Sequence, residues 1–438
     1  MRFSVLRALV PVSAFSLLVA GCGTSPVAGL GAAVLKQGSG SLYLRNGEAQ
    51  VLVKRRPGGT LSANLAGLSL RPASVGRSLA GMGWQMVSLP AANVGAAVSA
   101  FRGDPAVLAV QPNYQRNLIR PRNIGKIDVP GTLDSILPGL GTIAAAQPND
   151  PGYKRQYAPQ RLQAPDAWPI STGKGIVTAI VDTGVDTGHP DLQAHMVAGW
   201  NTVSNSADAK DDHGHGTHVA GITAALANNK EGIVGIAPDA AIMPIKVLDG
   251  DGSGSDETVA SGIIWAADHG AKVINLSLGG AGESQVLGEA VAYALKKGAS
   301  VVAAMGNDGT NEKSYPAAYP GVVAVGATDK ADKIASFSQW GDWISVSAPG
   351  VAVYSTFPTY KVAMNDYGFP MNYASLDGTS MATPAVAGAV AVLRAKFAAL
   401  DPAQVRARLQ ATTDKVAGQG DFDQKYGYGR INVLKSLK

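Results

Sequence analysis

The feature that most constrains this chain is a series of short, almost wholly apolar runs that begins at Gly175. Gly175–Val181, Ala241–Val247, Lys272–Leu276, Ser300–Ala304 and Val322–Val325 each read as a buried strand. Segments with helical spacing, Thr217–Asn228 and Ser380–Ala399, lie between and beyond them. Short apolar runs alternating with helices predict an α/β domain over 150–438, built on a doubly wound parallel sheet.

The stretch before it is patterned differently. Gln50–Val53 reads as a strand, and Trp84–Leu89 alternates with strand period. Asn93 to Phe101 has helical spacing, with Asn93 as the candidate N-cap. Val107–Val110 is a last strand, closing at Gln111-Pro112-Asn113-Tyr114. These elements predict a small α+β domain over 47–118. Residues 23–46, rich in Gly, Ala and Ser, read as a tether, and 119–149 as a linker open to cleavage. The net charge of +5 hides two opposite halves: 1–149 hold 14 Lys/Arg and 4 Asp/Glu, whereas 150–438 hold 23 and 28. A basic segment beside an acidic body suits docking within the chain, and no nucleic-acid partner is expected.

Arg2 and Arg7 precede an apolar run from Ala8 to Ala20, which is too short to span a bilayer. It ends in Leu18-Val19-Ala20-Gly21-Cys22, and Cys22 is the only cysteine. Residues 1–22 therefore resemble a signal peptide with a bacterial lipobox, lipidated at Cys22. An exported cell-envelope lipoprotein is expected, touching membrane only through that lipid, with the mature part released. A lone cysteine forms no disulfide within the chain, so packing or metal must stabilise it.

Three segments put reactive side chains where a strand ends or a helix begins. Val181-Asp182-Thr183-Gly184 places an acid just past a strand, where ligands gather in open α/β sheets. His213-Gly214-His215-Gly216-Thr217-His218 leads into a helix, and Gly378-Thr379-Ser380-Met381-Ala382 puts a serine at a helix start. There, free N–H groups and the helix dipole favour developing negative charge. A serine hydroxyl needs a base, and a histidine base needs a carboxylate to hold its tautomer and stabilise its cation. The Ser380 context lacks the second glycine of a lipase-type nucleophile elbow.

In this order and context, Asp182, His215 and Ser380 resemble the signatures of the subtilase family, on its thermitase-type side, from about Asp150 to Val433. The resemblance implies a serine endopeptidase acting on proteins and peptides through an acyl-enzyme, as a monomer. It makes Asn307 the oxyanion donor, and His215 rather than His218 the base; His213 has no family role. It makes the 47–118 domain an inhibitory propeptide that the enzyme removes from itself by a cut within 119–149. Substrate would lie extended between Leu248–Gly254 and Ser277–Gly280, touching Ser253, Gly254, Ser277, Leu278 and Gly279. A side-chain pocket lined by Ala303, Ala304, Met305 and Gly306 implies broad specificity, with a large apolar residue before the cut. A narrow processing protease would need a charged, selective pocket. Structural calcium is implied at Asp150, Asp191, Leu226, Asn229, Glu231 and Ile233. A second site matches Asn201, Ser204 and Ser206, where acids are missing and Asp208, Asp211 or Asp212 would have to compensate.

Overall fold

A computed structural model describes residues 40–59, 68–73, 77–119, 147–416 and 418–438. Cys22 lies outside them. The amino-terminal unit is an antiparallel sheet of β1 (Leu44–Arg45), β2 (Glu48–Arg55), β3 (Arg71–Ala73), β4 (Trp84–Pro90) and β5 (Val107–Pro112). β2 pairs with β4 on one side and with β1 and β5 on the other, and β3 lies beyond β4. β1 falls inside the stretch expected to be a tether, so the sheet starts earlier than the periodicity indicated. The helix Val94–Arg102 packs on this sheet. Asn93 precedes it as expected, but in an αR backbone conformation and without a side-chain cap bond, because a 3₁₀ turn over Ala91–Asn93 already leads into the helix.

Strand period 2 divides the unit's apolar residues between two cores. Ala49, Val51, Val53 and Leu89 pack with Val98 and Phe101. On the other face Leu52, Trp84 and Met86 join the core of the larger domain. Both faces are therefore covered.

The larger domain is a seven-stranded parallel sheet: β7 (Val177–Asp182), β8 (Trp200–Asn201), β9 (Ala241–Lys246), β11 (Val273–Leu276), β13 (Ser300–Ala304), β14 (Val323–Thr328) and β15 (Val346–Pro349). Its spatial order is β15-β14-β13-β11-β7-β9-β8. Successive residues serve opposite cores: Ile180 and Val302 face one, Val181 and Val301 the other. The helices His215–Ala224 and Thr379–Lys396 cover the first face, and Asp256–Asp268 and Gln285–Lys296 the second. This is the doubly wound sheet expected. Both helices of the first face are almost wholly buried, and glycine makes their approach possible. A Cβ on Gly216 would lie 2.1 Å from the Gly184 carbonyl oxygen.

The two units meet where Gln111 and Asn113 reach the starts of the second-face helices. Gln111 Nε2 donates to Ser284 Oγ at 2.9 Å and its Oε1 accepts from Val286 N at 3.2 Å. Asn113 Oδ1 accepts from Glu257 N at 3.1 Å. The motif expected to close the small domain thus satisfies amides that helix starts leave free. Glu289 adds a 2.7 Å ion pair to Lys54 and accepts from Trp84 Nε1 at 3.0 Å.

Candidate active site

Asp182 ends β7 at the carboxyl edge of the sheet, wholly buried, and its Oδ1 accepts the Thr183 amide at 2.8 Å. His215 opens its helix behind Gly214, whose φ of +112° suits only glycine. Its Nδ1 lies 2.8 Å from Asp182 Oδ1, with Nε2 on the opposite edge of the ring. Ser380 is the second residue of its helix, and its hydroxyl donates to the Ser277 carbonyl at 3.1 Å. The sequence places these residues far apart; the sheet edge and one helix start bring Asp182 and His215 together, and Ser380 stands at a second helix start, next to Thr379, which is held by Asn307. His218, one turn beyond His215, is pushed down to about 3 by burial and then by His215, so it stays neutral. Its Nε2 lies 3.1 Å from the Ala374 carbonyl, a structural bond.

Asp211 was not singled out for this site. It is wholly buried, and its two oxygens accept from Thr183 Oγ1, the amides of His213, Gly214 and Thr217, and Thr217 Oγ1, at 2.6–3.0 Å. It holds the His215 loop in place. Asp212 instead pairs with Lys246 at 2.6 Å. At Asn201, Ser204 and Ser206 the Asn201 side chain serves the local turn.

Asn307 Oδ1 accepts from both N and Oγ1 of Thr379 at 2.9 Å, which turns its Nδ2 towards the cleft. That Nδ2 donates to the carbonyl of Ile119 at 2.7 Å. The slot expected for substrate is filled by the chain itself. β6 (Gln115–Leu118) lies antiparallel between β10 (Ser253–Ser255) and β12 (Leu278–Gly279). Ser253 and Gly254 pair with Asn117 and Arg116, and Leu278 and Gly279 with Leu118 and Asn117. Leu118 N also donates to Gly252 O at 2.9 Å. A Cβ on Gly279 would stand 3.2 Å from Ile119 Cδ1.

Beside Ile119 lies a cavity of about 210 Å³, with Gly279, Gly280, Gly306, Asn307, Asp308 and Gln339 in its wall. Gly306 lines it with Asp308 and Gln339, so the wall of the unfilled space is more polar than the apolar run suggested, and Ala303, Ala304 and Met305 are buried with Ile119 in place. Gly306 is held at φ +120°, and a Cβ there would fall 1.4 Å from Gln339 Oε1.

Asp150, Asp191 and Asn229 also come together. Asp150 accepts the amides of Asn228 and Asn229, and Asp191 accepts Asn229 Nδ2 at 2.8 Å and Ile233 N at 2.8 Å. Burial, with help from Asp191, raises the Asp150 carboxyl. The Leu226, Glu231 and Ile233 amides take part in this knot, Leu226 N donating to Asp191 O. Among the described residues, no group of three or more His, Cys, Asp or Glu is placed to hold a metal.

A sequence model of the subtilase family, peptidase S8, matches residues 173–429. Thermitase of Thermoactinomyces vulgaris is 47% identical over 292 residues, covering 66% of this chain and 99% of that protein. A thermophilic serine proteinase of Bacillus sp. (strain AK1) is 40% identical over 351 residues, 80% of this chain and 77% of its own. The crystal structure of fervidolysin from Fervidobacterium pennivorans, described as a keratinolytic enzyme related to subtilisin, superposes with a TM-score of 0.77 at 33% identity. It covers 92% of this chain, which spans 63% of its length.

Proposed function

The chain belongs to the subtilase family and is a subtilisin-like serine peptidase, and from that premise we propose that it is an endopeptidase that first cuts itself between Ile119 and Arg120. The observation that carries this reading is the 2.7 Å bond from Asn307 Nδ2 to the Ile119 carbonyl, at the end of a strand seated between β10 and β12. An extended strand added to a groove edge is how peptides are held by main-chain bonds.

Ser380 Oγ attacks the Ile119 carbonyl carbon and passes its proton to His215 Nε2. Asp182 holds His215 by Nδ1 and stabilises the imidazolium. Asn307 Nδ2 and the Ser380 amide take up the oxyanion. His215 then returns the proton to the Arg120 amine as the C–N bond breaks, and water releases the acyl group. The cut leaves the amino-terminal fragment, ending at Ile119, seated in the cleft as a product-like inhibitor until it dissociates. It also separates the protease from Cys22, so a lipid there would anchor only the amino-terminal fragment.

Asn307→Ala is expected to lower kcat by about 10²–10³, the loss measured when this kind of donor is removed from subtilisin. In that slowed variant, mass spectrometry should find a first amino-terminal fragment ending at Ile119; a first cut elsewhere would refute the bond assignment. The unfilled space beside Ile119 supports a residue larger than isoleucine before the cut in other substrates.

The pairing of two buried carboxylates with Asn229 supports structural calcium at Asp150 and Asp191, since a dication relieves their repulsion and prefers oxygen ligands. Bound calcium would hold this loop to the start of the larger domain and take no part in bond cleavage. With calcium at about 100 times its Kd the gain is about 2.7 kcal/mol, on the order of 5–10 °C in Tm. Chelator should remove that increment from the wild type and leave Asp191→Asn unmoved; equal melting with and without chelator would exclude the metal.

A further inference from the structure

Arg116, the fourth residue before the proposed cut, is wholly buried although it belongs to a strand that must eventually leave the cleft. Its Nε donates to Asp256 Oδ1 at 2.6 Å, both side chains being 0% exposed. Nη1 donates to the carbonyls of Gly280 and Ala281 at 3.1 and 3.2 Å, and Nη2 to Gly282 O at 3.0 Å. One carboxylate and three carbonyls therefore surround one planar guanidinium.

The receptor is built into the larger domain. Asp256 opens the Asp256–Asp268 helix, where the dipole favours its negative charge, and Ser255 caps that helix. The Gly280 carbonyl is fixed from the other side by the Tyr315 amide at 2.9 Å. Gly280 itself admits no side chain without crowding the guanidinium, since a Cβ there would lie 3.1 Å from Arg116 Nη1.

We propose that Asp256 makes this protease selective for arginine four residues before the scissile bond, in other substrates as in its own chain; this rests on reading β6 as a bound substrate strand. In another substrate, an apolar residue at that place would cover Asp256 Oδ1 and three carbonyls and leave them without the guanidinium. That costs far more than the matched pair contributes over water. Lysine offers a point charge that cannot span the carboxylate and the three carbonyls together. A charged, selective pocket is thus present three positions upstream of the residue before the cut. Gln111 Nε2, 3.3 Å from Asp256 Oδ2, keeps a donor on that carboxylate in the chain's own segment, which a short peptide lacks, so discrimination should be sharper on other substrates than in self-processing.

The test uses self-processed enzyme and fluorogenic peptides of the form X-Asn-Leu-Ile-reporter, with X as Arg, Lys or Leu. The expected kcat/KM for Arg exceeds that for Leu on the order of 10²-fold, with Lys between. In Asp256→Leu the ratio of Leu to Arg should invert. Equal rates on the Arg and Leu peptides by wild type would overturn the proposal, as would an Asp256→Leu enzyme that still prefers Arg. Should that variant fail to fold, the wild-type peptide series decides alone. Product mass separates the two readings: release after Ile with no preference at X rejects only the role of Asp256, whereas self-cleavage away from Ile119 rejects the seated-strand reading beneath it.

Discussion

Ser380→Ala is expected to leave the chain uncut between Ile119 and Arg120 and to lower turnover on casein by about 10⁶-fold, the loss measured when a triad member is removed from subtilisin. The substitution deletes one oxygen from a nearly buried side chain, and with it a 3.1 Å bond to the Ser277 carbonyl. Such a bond contributes only about 1 kcal/mol, so the variant should fold. Asn307 and the β6 slot remain, and the amino-terminal segment should stay seated and intact. Gel and mass analysis of the purified chain reads the outcome directly. A variant that still trims itself and digests casein would reject Ser380 as nucleophile.

Asp182→Asn is expected to cost about 10⁴-fold in kcat near neutral pH, the loss measured for the equivalent change in a chymotrypsin-type enzyme. Asp182 Oδ1 receives both His215 Nδ1 and the Thr183 amide. An asparagine that keeps its oxygen on both donors carries no charge to stabilise the imidazolium and turns an N–H to the place of Oδ2, which has no partner. One turned the other way faces Nδ1 with a donor, which forces the proton onto Nε2, so His215 can no longer accept one from Ser380. The signature is a rate that recovers as pH rises, with little change in KM. A fall in KM-dependent binding at unchanged kcat would assign Asp182 a structural role instead.

Legibility in the sequence followed how local each signal was. Ser300–Ala304 was found to the residue because a strand buried on both faces is apolar throughout. Asp182, His215 and Ser380 stood out because each lies in a short motif whose neighbours are themselves required by close packing, as at Gly216. The helix Asp256–Asp268 was not legible as an element. It is buried almost all round, so it carries no polar stripe to set its period. Its first residue, Asp256, therefore carried no signal of its own. Asp211 was considered only as a ligand, because nothing along the chain tells that five donors converge on it.

The sequence by itself determined the doubly wound sheet, the small α+β unit before it, and the identities of the residues at the sheet's carboxyl edge. It did so because burial pattern and motif are properties of neighbouring residues. Only the tertiary structure decided what fills the cleft. Arg116 and Asp256 stand 140 positions apart, and Asn307 and Ile119 188 apart. No periodicity links residues at such separations; they meet because β5 ends where Gln111 and Asn113 cap two helices, which delivers the next strand into the groove between β10 and β12.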